Sequence, residues 1–228
     1  MYKRRPRRRR RKTGSFRSGN NGRVVAFKNP SPLPVKFKAL FRYSEPYIKL
    51  PLPASTFLGT YIFSANGVYD PNITGVGHQP SGFDQLMTMY DHFVVIGAKM
   101  TVTFVNNDPN DAVVVGIDVR DSVNAESDSR VIIESGTAKY ANLSAKNNGD
   151  NQVTMSYKVN PNRFLGRSKP LADPNLKGTT AANPLEQCYF HVFSGNLDDQ
   201  LTLGVETTAN IVIEYQTMLI EPKPVGLS

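Results

Sequence analysis

The sequence predicts an all-β fold: an eight-stranded jelly roll of two antiparallel sheets, with one short helix and a disordered N-terminal arm. Three observations lead there. Apolar and polar residues alternate with a period of two in about eight stretches of roughly 6–10 residues between Lys36 and Leu219. Long Gly-, Pro-, Asn- and Asp-bearing segments separate most of these stretches, which argues against tight hairpins and for the crossovers of a two-sheet jelly roll. The first 34 residues, finally, have the composition of a chain that cannot fold by itself.

That arm comes first in the chain. Nine of the ten residues from Lys3 to Lys12 are basic, and no acidic residue precedes Glu45. Like charges at this density repel, and apart from Val24 to Phe27 little apolar surface offsets the entropy of ordering. The basic residues are Lys3, Arg4, Arg5, Arg7, Arg8, Arg9, Arg10, Arg11, Lys12, Arg17, Arg23 and Lys28. These 12 leave 15 of the 27 Lys and Arg for the other 200 residues, which also hold all 19 acidic side chains, a net of −4. A cationic arm on a mildly acidic body calls for a polyanion, and nucleic acid is the default candidate. Arg predominates in the run, and its planar fork suits phosphate. Nothing in the arm fixes side chains against base edges, so it offers affinity without sequence readout. Phe16 is the one aromatic there placed to stack on bases. The run also fits a nuclear-localisation signal. Residues 13–34, ending in Asn29-Pro30-Ser31-Pro32-Leu33-Pro34, read as an extended linker. The domain boundaries are therefore 1–34 for arm and linker and 35–228 for the jelly-roll body.

The body begins with a strand in which Phe37, Ala39, Phe41 and Tyr43 alternate with Lys36, Lys38, Leu40 and Arg42. A second strand is expected over 57–64, then a loop with turns at Asn66-Gly67 and Asp70-Pro71. Phe83, Leu86, Met87 and Tyr90 at helical spacing predict a helix over 81–92, with Ser81 and Asp84 as a capping box. Strands follow over 98–104 and 113–120, separated by a turn at Asn106-Asn107-Asp108-Pro109. Residues 129–134 suggest a second short helix, 137–144 a strand, and 153–159 a clearly alternating strand. A proline-bearing loop over 161–186 precedes the last two strands, at 188–193 and 210–219.

In a jelly roll the first, third, sixth and eighth strands share a sheet. Its solvent side would show Lys36, Lys38, Arg42, Lys99, Lys158 and Glu214 among Thr101, Thr103, Thr154, Ser156 and Gln216. That face reads equally well as an ordinary solvated surface or as a second, basic contact for the arm's polyanion. Phe37, Phe41, Tyr43, Phe104 and Tyr157 fall on the inward phase and read as core.

Catalysis has little support. His78, His92 and His191 form neither a His-x-His pair nor a His-Glu-x-x-His motif, and no phosphate-binding Gly-x-x-x-x-Gly-Lys loop is present. Cys188 and His191, three apart on a strand, would lie on opposite faces. A lone cysteine beside Tyr189 and Phe190 is more simply a core filler, and it permits no intrachain disulfide, which fits a reducing compartment. Asp118 with Asp121, or Asp198 with Asp199, are carboxylate pairs that a divalent cation could bridge, but solvated loop carboxylates are the simpler reading. No catalytic residue, metal site or cofactor is expected. No apolar run approaches a membrane span of about 20 residues, and no apolar segment follows the basic start as in a secretory signal.

Three segments narrow the reading. They are Phe63-Ser64-Ala65-Asn66-Gly67-Val68-Tyr69-Asp70-Pro71, Gly77-His78-Gln79-Pro80-Ser81-Gly82-Phe83-Asp84-Gln85, and Tyr90-Asp91-His92-Phe93-Val94-Val95-Ile96-Gly97-Ala98-Lys99. Together they closely resemble a block in capsid proteins of circovirus-like viruses, whose small circular single-stranded DNA genomes encode a replication initiator. The resemblance is specific over residues 63–99 and looser elsewhere. It implies a single jelly roll in an icosahedral shell, sixty copies in the simplest case, with the sheet of the first strand lining the lumen. The arm would meet the single-stranded DNA genome there, and the loops starting at Ile73, Ser122 and Pro161 would build subunit contacts and the outer surface. Expected partners are the genome, further copies of the chain and nuclear import receptors, with no membrane. Expected locations are the virion and, during assembly, the host nucleus. The competing reading is a cellular nucleic-acid-binding jelly-roll module with a monomeric body.

Overall fold

A computed structural model describes residues 32–51, 58–73, 76–197 and 206–225. The twelve basic arm residues, nearly all of the linker, and Asp198 and Asp199 lie outside these residues. Eight strands form: β1 (Lys36–Pro51), β2 (Leu58–Ser64), β3 (Tyr90–Asn106), β4 (Val113–Arg120), β5 (Lys139–Leu143), β6 (Gln152–Val159), β7 (Tyr189–Asn196) and β8 (Glu206–Pro222). They build two four-stranded sheets, ordered β1-β8-β3-β6 and β2-β7-β4-β5. Every pairing is antiparallel. The first, third, sixth and eighth strands share a sheet, as a jelly roll requires. Three helices of one turn or slightly more complete the fold: α1 (Phe83–Met87), α2 (Ser129–Glu134) and α3 (Pro161–Phe164). Among the described residues no helix is long and apolar enough to cross a membrane.

The inward phase of each strand feeds one core between the sheets. Phe41 and Tyr43 of β1, Met100, Val102 and Phe104 of β3, and Ile211, Ile213 and Tyr215 of β8 meet Phe63, Val115, Ile117, Phe190 and Val192 from the opposite sheet. The Tyr215 hydroxyl crosses the core to donate to the Ser64 carbonyl at 2.7 Å, and burial holds its pKa well above the ordinary tyrosine value. Cys188 sits in the same core. Burial pushes its thiol up to about 12, so no reactive thiolate is available.

Several expectations need correction. The helix expected over 81–92 is only five residues long and is preceded by Gly82 in the left-handed conformation (φ 81°), without a side-chain cap. Tyr90 already belongs to β3, so Asp91 and His92 lie on a strand rather than closing a helix. Phe83 and Met87 are wholly buried, with Phe83 edge-on to Phe93 at 5.5 Å and to Phe41 at 5.8 Å. Plugging the core fixes this turn, and pairing with β8 captures the rest as strand. Phe37 is not core but 40% exposed, stacked on Tyr90 at 6.2 Å. Tyr157 is half-buried, because β6 is an edge strand.

Strand β4 forms as expected over 113–120, with both of its faces covered. Val114 and Phe193 point away from the main core and join Leu58 and Ile132 in a second apolar cluster. Ile132 comes from α2, whose Asp128 side chain accepts from the Arg130 amide and caps the helix. The β4–β5 connection thus lies over the outer face of the second sheet. Gly116 is pinned there: a Cβ would sit 2.4 Å from the Phe193 ring and 2.5 Å from the Lys139 carbonyl oxygen. A buried ring and a backbone atom cannot yield, so Gly116→Ala is expected to cost at least about 2 kcal/mol, read as a lower denaturation midpoint.

The segments that carry the family resemblance serve packing. Asn66 is buried, accepting from the Cys188 amide at 3.1 Å and donating to the Glu186 carbonyl at 2.9 Å. Gly67 leaves no room for a side chain beside Asn183 and Ser64. His78 stacks on Tyr43 with ring centroids 4.7 Å apart. This stretch ties the end of β2 to the approach of β7.

Candidate nucleic-acid interface

The outer face of the β1-β8-β3-β6 sheet is the polar one. Directly paired residues on neighbouring strands point the same way. The pairings Arg42↔Glu214, Glu214↔Lys99 and Lys99↔Lys158 therefore form one row spanning all four strands. Lys36 and Lys38 share its phase on β1. The five basic residues assigned to one face lie together on it. The next row in one direction is Ser44, Val212, Thr101 and Ser156, and beyond it Thr103 and Thr154 share a hydrogen bond at 2.8 Å. Hydroxyls and ammonium groups so interspersed suit a sugar-phosphate chain.

Two charges on this face escaped sequence reading. Lys49 pairs with Thr208 and therefore faces outward, next to Glu206, with which it makes an ion pair at 2.5 Å. The alternation from 36 to 43 does not reach Lys49, because a bulge between Glu45 and Ile48 resets the phase. Pro46 inside the strand was the available signal. The face thus carries six basic and two acidic residues, keeping the net of +4 expected from five and one. Arg42 donates to Glu214 at 2.6 Å, and Lys99 lies 3.7 Å from the other carboxylate oxygen. The hydrogen bond from Arg42, aided by Lys99, holds the Glu214 carboxyl below its ordinary pKa. Lys36, Lys38 and Lys158 make no ion pair among the described residues. The chain reaches this face at the Lys36 end, where the Tyr90 hydroxyl donates to the Pro34 carbonyl at 3.1 Å. The arm therefore joins the body next to Lys36 and Lys38.

The histidines are dispersed in separate contacts. His92 lies 2.8 Å from Glu221, His78 stacks on Tyr43, and the ring of His191 meets the Ser122 carbonyl at 2.8 Å. As its spacing from Cys188 predicted, His191 faces away from the main core, toward the β4–β5 connection. Among the described residues no group of His, Cys, Asp and Glu is arranged to hold a metal ion. Asp118 is not a solvated loop carboxylate. Wholly buried on β4, it accepts from Thr137 Oγ1 at 2.6 Å, Arg120 Nε at 2.7 Å and the Val119 amide at 2.9 Å. Arg120 also donates to Glu126 at 3.1 Å, fastening the same connection.

His191 makes that connection sensitive to acid. Burial first, and then the Arg120 charge, lower its pKa from 6.5, against the opposing influence of the Ser122 carbonyl and Asp118. A lowered folded-state value means the unfolded chain takes up the proton first. Its contribution is therefore complete above pH 6.5 and lost as pH falls below that value toward the folded-state pKa. The melting temperature should fall more steeply between pH 7 and pH 5 than that of His191→Gln. Parallel curves for the two would discount this residue.

No protein-family model matches the chain, and no curated protein matches it. Solved structures do. A chain of Desmodium yellow mottle tymovirus is 12% identical with a TM-score of 0.46, covering 91% of this chain and 100% of that one. The mud crab tombus-like virus structure gives 11% identity and 0.49, over 91% and 93%. A semi-empty VLP of Macrobrachium rosenbergii nodavirus, from the giant freshwater prawn, gives 12% identity and 0.47, over 93% and 99%.

Proposed function

We infer that this chain is a viral capsid subunit that self-assembles into an icosahedral shell and packages single-stranded DNA through its Arg-rich arm. The observation that carries the reading is a coincidence of position. The chain leaves its twelve-charge arm at the edge of the one sheet whose outer face is basic, while the other sheet is covered by its own loop. Facing the lumen, arm and sheet would meet the same strand: Lys3, Arg4, Arg5, Arg7, Arg8, Arg9, Arg10, Arg11, Lys12, Arg17, Arg23 and Lys28 from the arm, and Lys36, Lys38, Arg42, Lys99 and Lys158 from the face. The resemblance over residues 63–99 supports the viral assignment. Sixty arms would bring about 720 positive charges, enough for roughly as many phosphates at one negative charge each. A longer genome would draw on the sheet face or on counterions. The arm would also serve import receptors in the host nucleus, with the virion as the final location.

Electron microscopy of the purified full-length chain, with and without a single-stranded DNA circle, tests this reading. Closed shells with filled lumens are expected when DNA is present. Particles that remain single copies across salt, pH and concentration would remove it.

A further inference from the structure

We propose that the basic face carries a nucleotide seat between β1 and the end of β6, where one phosphate and its base are held by the body rather than by the arm. The proposal rests on the packaging reading above and goes beyond electrostatics. A depression of about 470 Å³ lies there, between Leu40 on one side and Lys158 and Asn160 on the other, with Gln216 and Lys99 along it. Its size falls in the range of about 300–1,000 Å³ typical of small-ligand sites. The depression exists because β3 carries a bulge between Val95 and Gly97, which sets a residue without a side chain opposite Gln216.

The lining offers three kinds of contact, each suited to a different part of a nucleotide. Lys158 has no ion pair among the described residues, and Lys99 is held only loosely, 3.7 Å from Glu214, so two ammonium groups remain for a phosphate. The carboxylate that could repel an anion is already bound by Arg42 at 2.6 Å. Asn160 spends its side-chain oxygen capping α3, accepting from the Arg163 amide at 3.1 Å, which leaves its NH₂ to donate to a phosphate or sugar oxygen beside Lys158. Gln216 is exposed and brings a second amide with both a donor and an acceptor. Leu40, the most exposed apolar side chain of this face at 66%, supplies a surface for a ring. A wholly electrostatic face would need none of Leu40, Gln216 and the missing side chain at position 97.

Gly97 also provides a variant that alters the seat and not the charge. A Cβ there would meet Gln216 atoms at 3.6–3.9 Å, ordinary contact, so a side chain at position 97 starts without a clash, and Gly97→Leu directs it into the depression. The measurement is binding of the full-length chain to a fluorescent thymidine decamer and to an abasic decamer with the same phosphates. The wild-type chain should prefer the base-bearing strand by roughly fivefold, about what one added apolar or hydrogen-bonded contact supplies. Gly97→Leu should bring the two strands to parity at an unchanged salt exponent, and Leu40→Ser should lower the preference. Because Leu40 is exposed, the latter carries the test even if the glycine variant folds poorly. Lys158→Gln should weaken both decamers alike. A preference that survives both seat variants would place base contact elsewhere, for instance on Phe16, and overturn the seat while leaving packaging intact. A wild-type chain indifferent to bases also overturns it. A chain that binds neither decamer removes both the seat and the packaging reading.

Discussion

Removal of residues 1–28 should lower affinity for single-stranded DNA by at least about 10³-fold near 0.15 M salt while leaving the body folded. Nine phosphate contacts from residues 3–12 would contribute about −6 to the dependence of log K on log salt. The truncated chain keeps Lys36, Lys38 and Lys158 as the face's basic residues outside ion pairs among the described residues, worth a slope of about −2. Binding measured from 50 to 200 mM salt should therefore show the exponent collapse along with the affinity. Body stability should hardly change, since the core draws on no residue before Ala39. A truncated chain that binds as tightly, with the same exponent, would mean the arm is not the gripping element.

The largest stability loss is expected from Asp118→Ala, about 3–5 kcal/mol in denaturant unfolding of the unassembled chain. The alanine would remove the acceptor for Thr137, Arg120 and the Val119 amide at once, at a carboxylate wholly closed to water. The Val119 amide, buried in the sheet, would bear the full cost of desolvation, while Arg120 keeps Glu126 and Thr137 keeps Ser135 as remaining partners. A melting temperature lower by roughly 10 °C follows for a domain of this size. Asp118→Asn keeps an acceptor but loses the charge opposite Arg120, and should fall between. An alanine variant within about 1 kcal/mol of wild type would show that the β4–β5 connection is not fastened here.

Much of this molecule was legible before its fold was known, and the residues say why. The stretches 36–43, 98–104 and 153–159 alternate cleanly because one face of their sheet is solvated, so a period of two survives in the sequence. Where that condition fails, the reading fails with it. Val113 to Val119 alternates only in part, since α2 buries the second face. Tyr90 to Gly97 looks helical at one end because Phe83, Met87 and Tyr90 all reach the same core from two different elements. The bulges after Glu45 and after Val95 shift the phase by steps that composition does not record. They decide that Lys49 joins the basic face and that Gly97 opens a hollow in it.

The family-like segments divide the same way. Their residue types are visible in the sequence, but the reason for Asn66, Gly67 and His78 appears only when the Cys188 amide, Asn183 and Tyr43 are brought against them.

By itself the sequence determined the separation of a cationic arm from an acidic body, the all-β class and the strand count, because charge density and periodicity are local properties. Tertiary structure alone decided which sheet stays bare and which is roofed by its own loop, and that the arm's root meets the bare one. The basic face depends on pairings between residues more than a hundred positions apart, such as Arg42 with Glu214, and the roof on contacts such as Val114 with Ile132 that span strand and helix, so no periodicity encodes either.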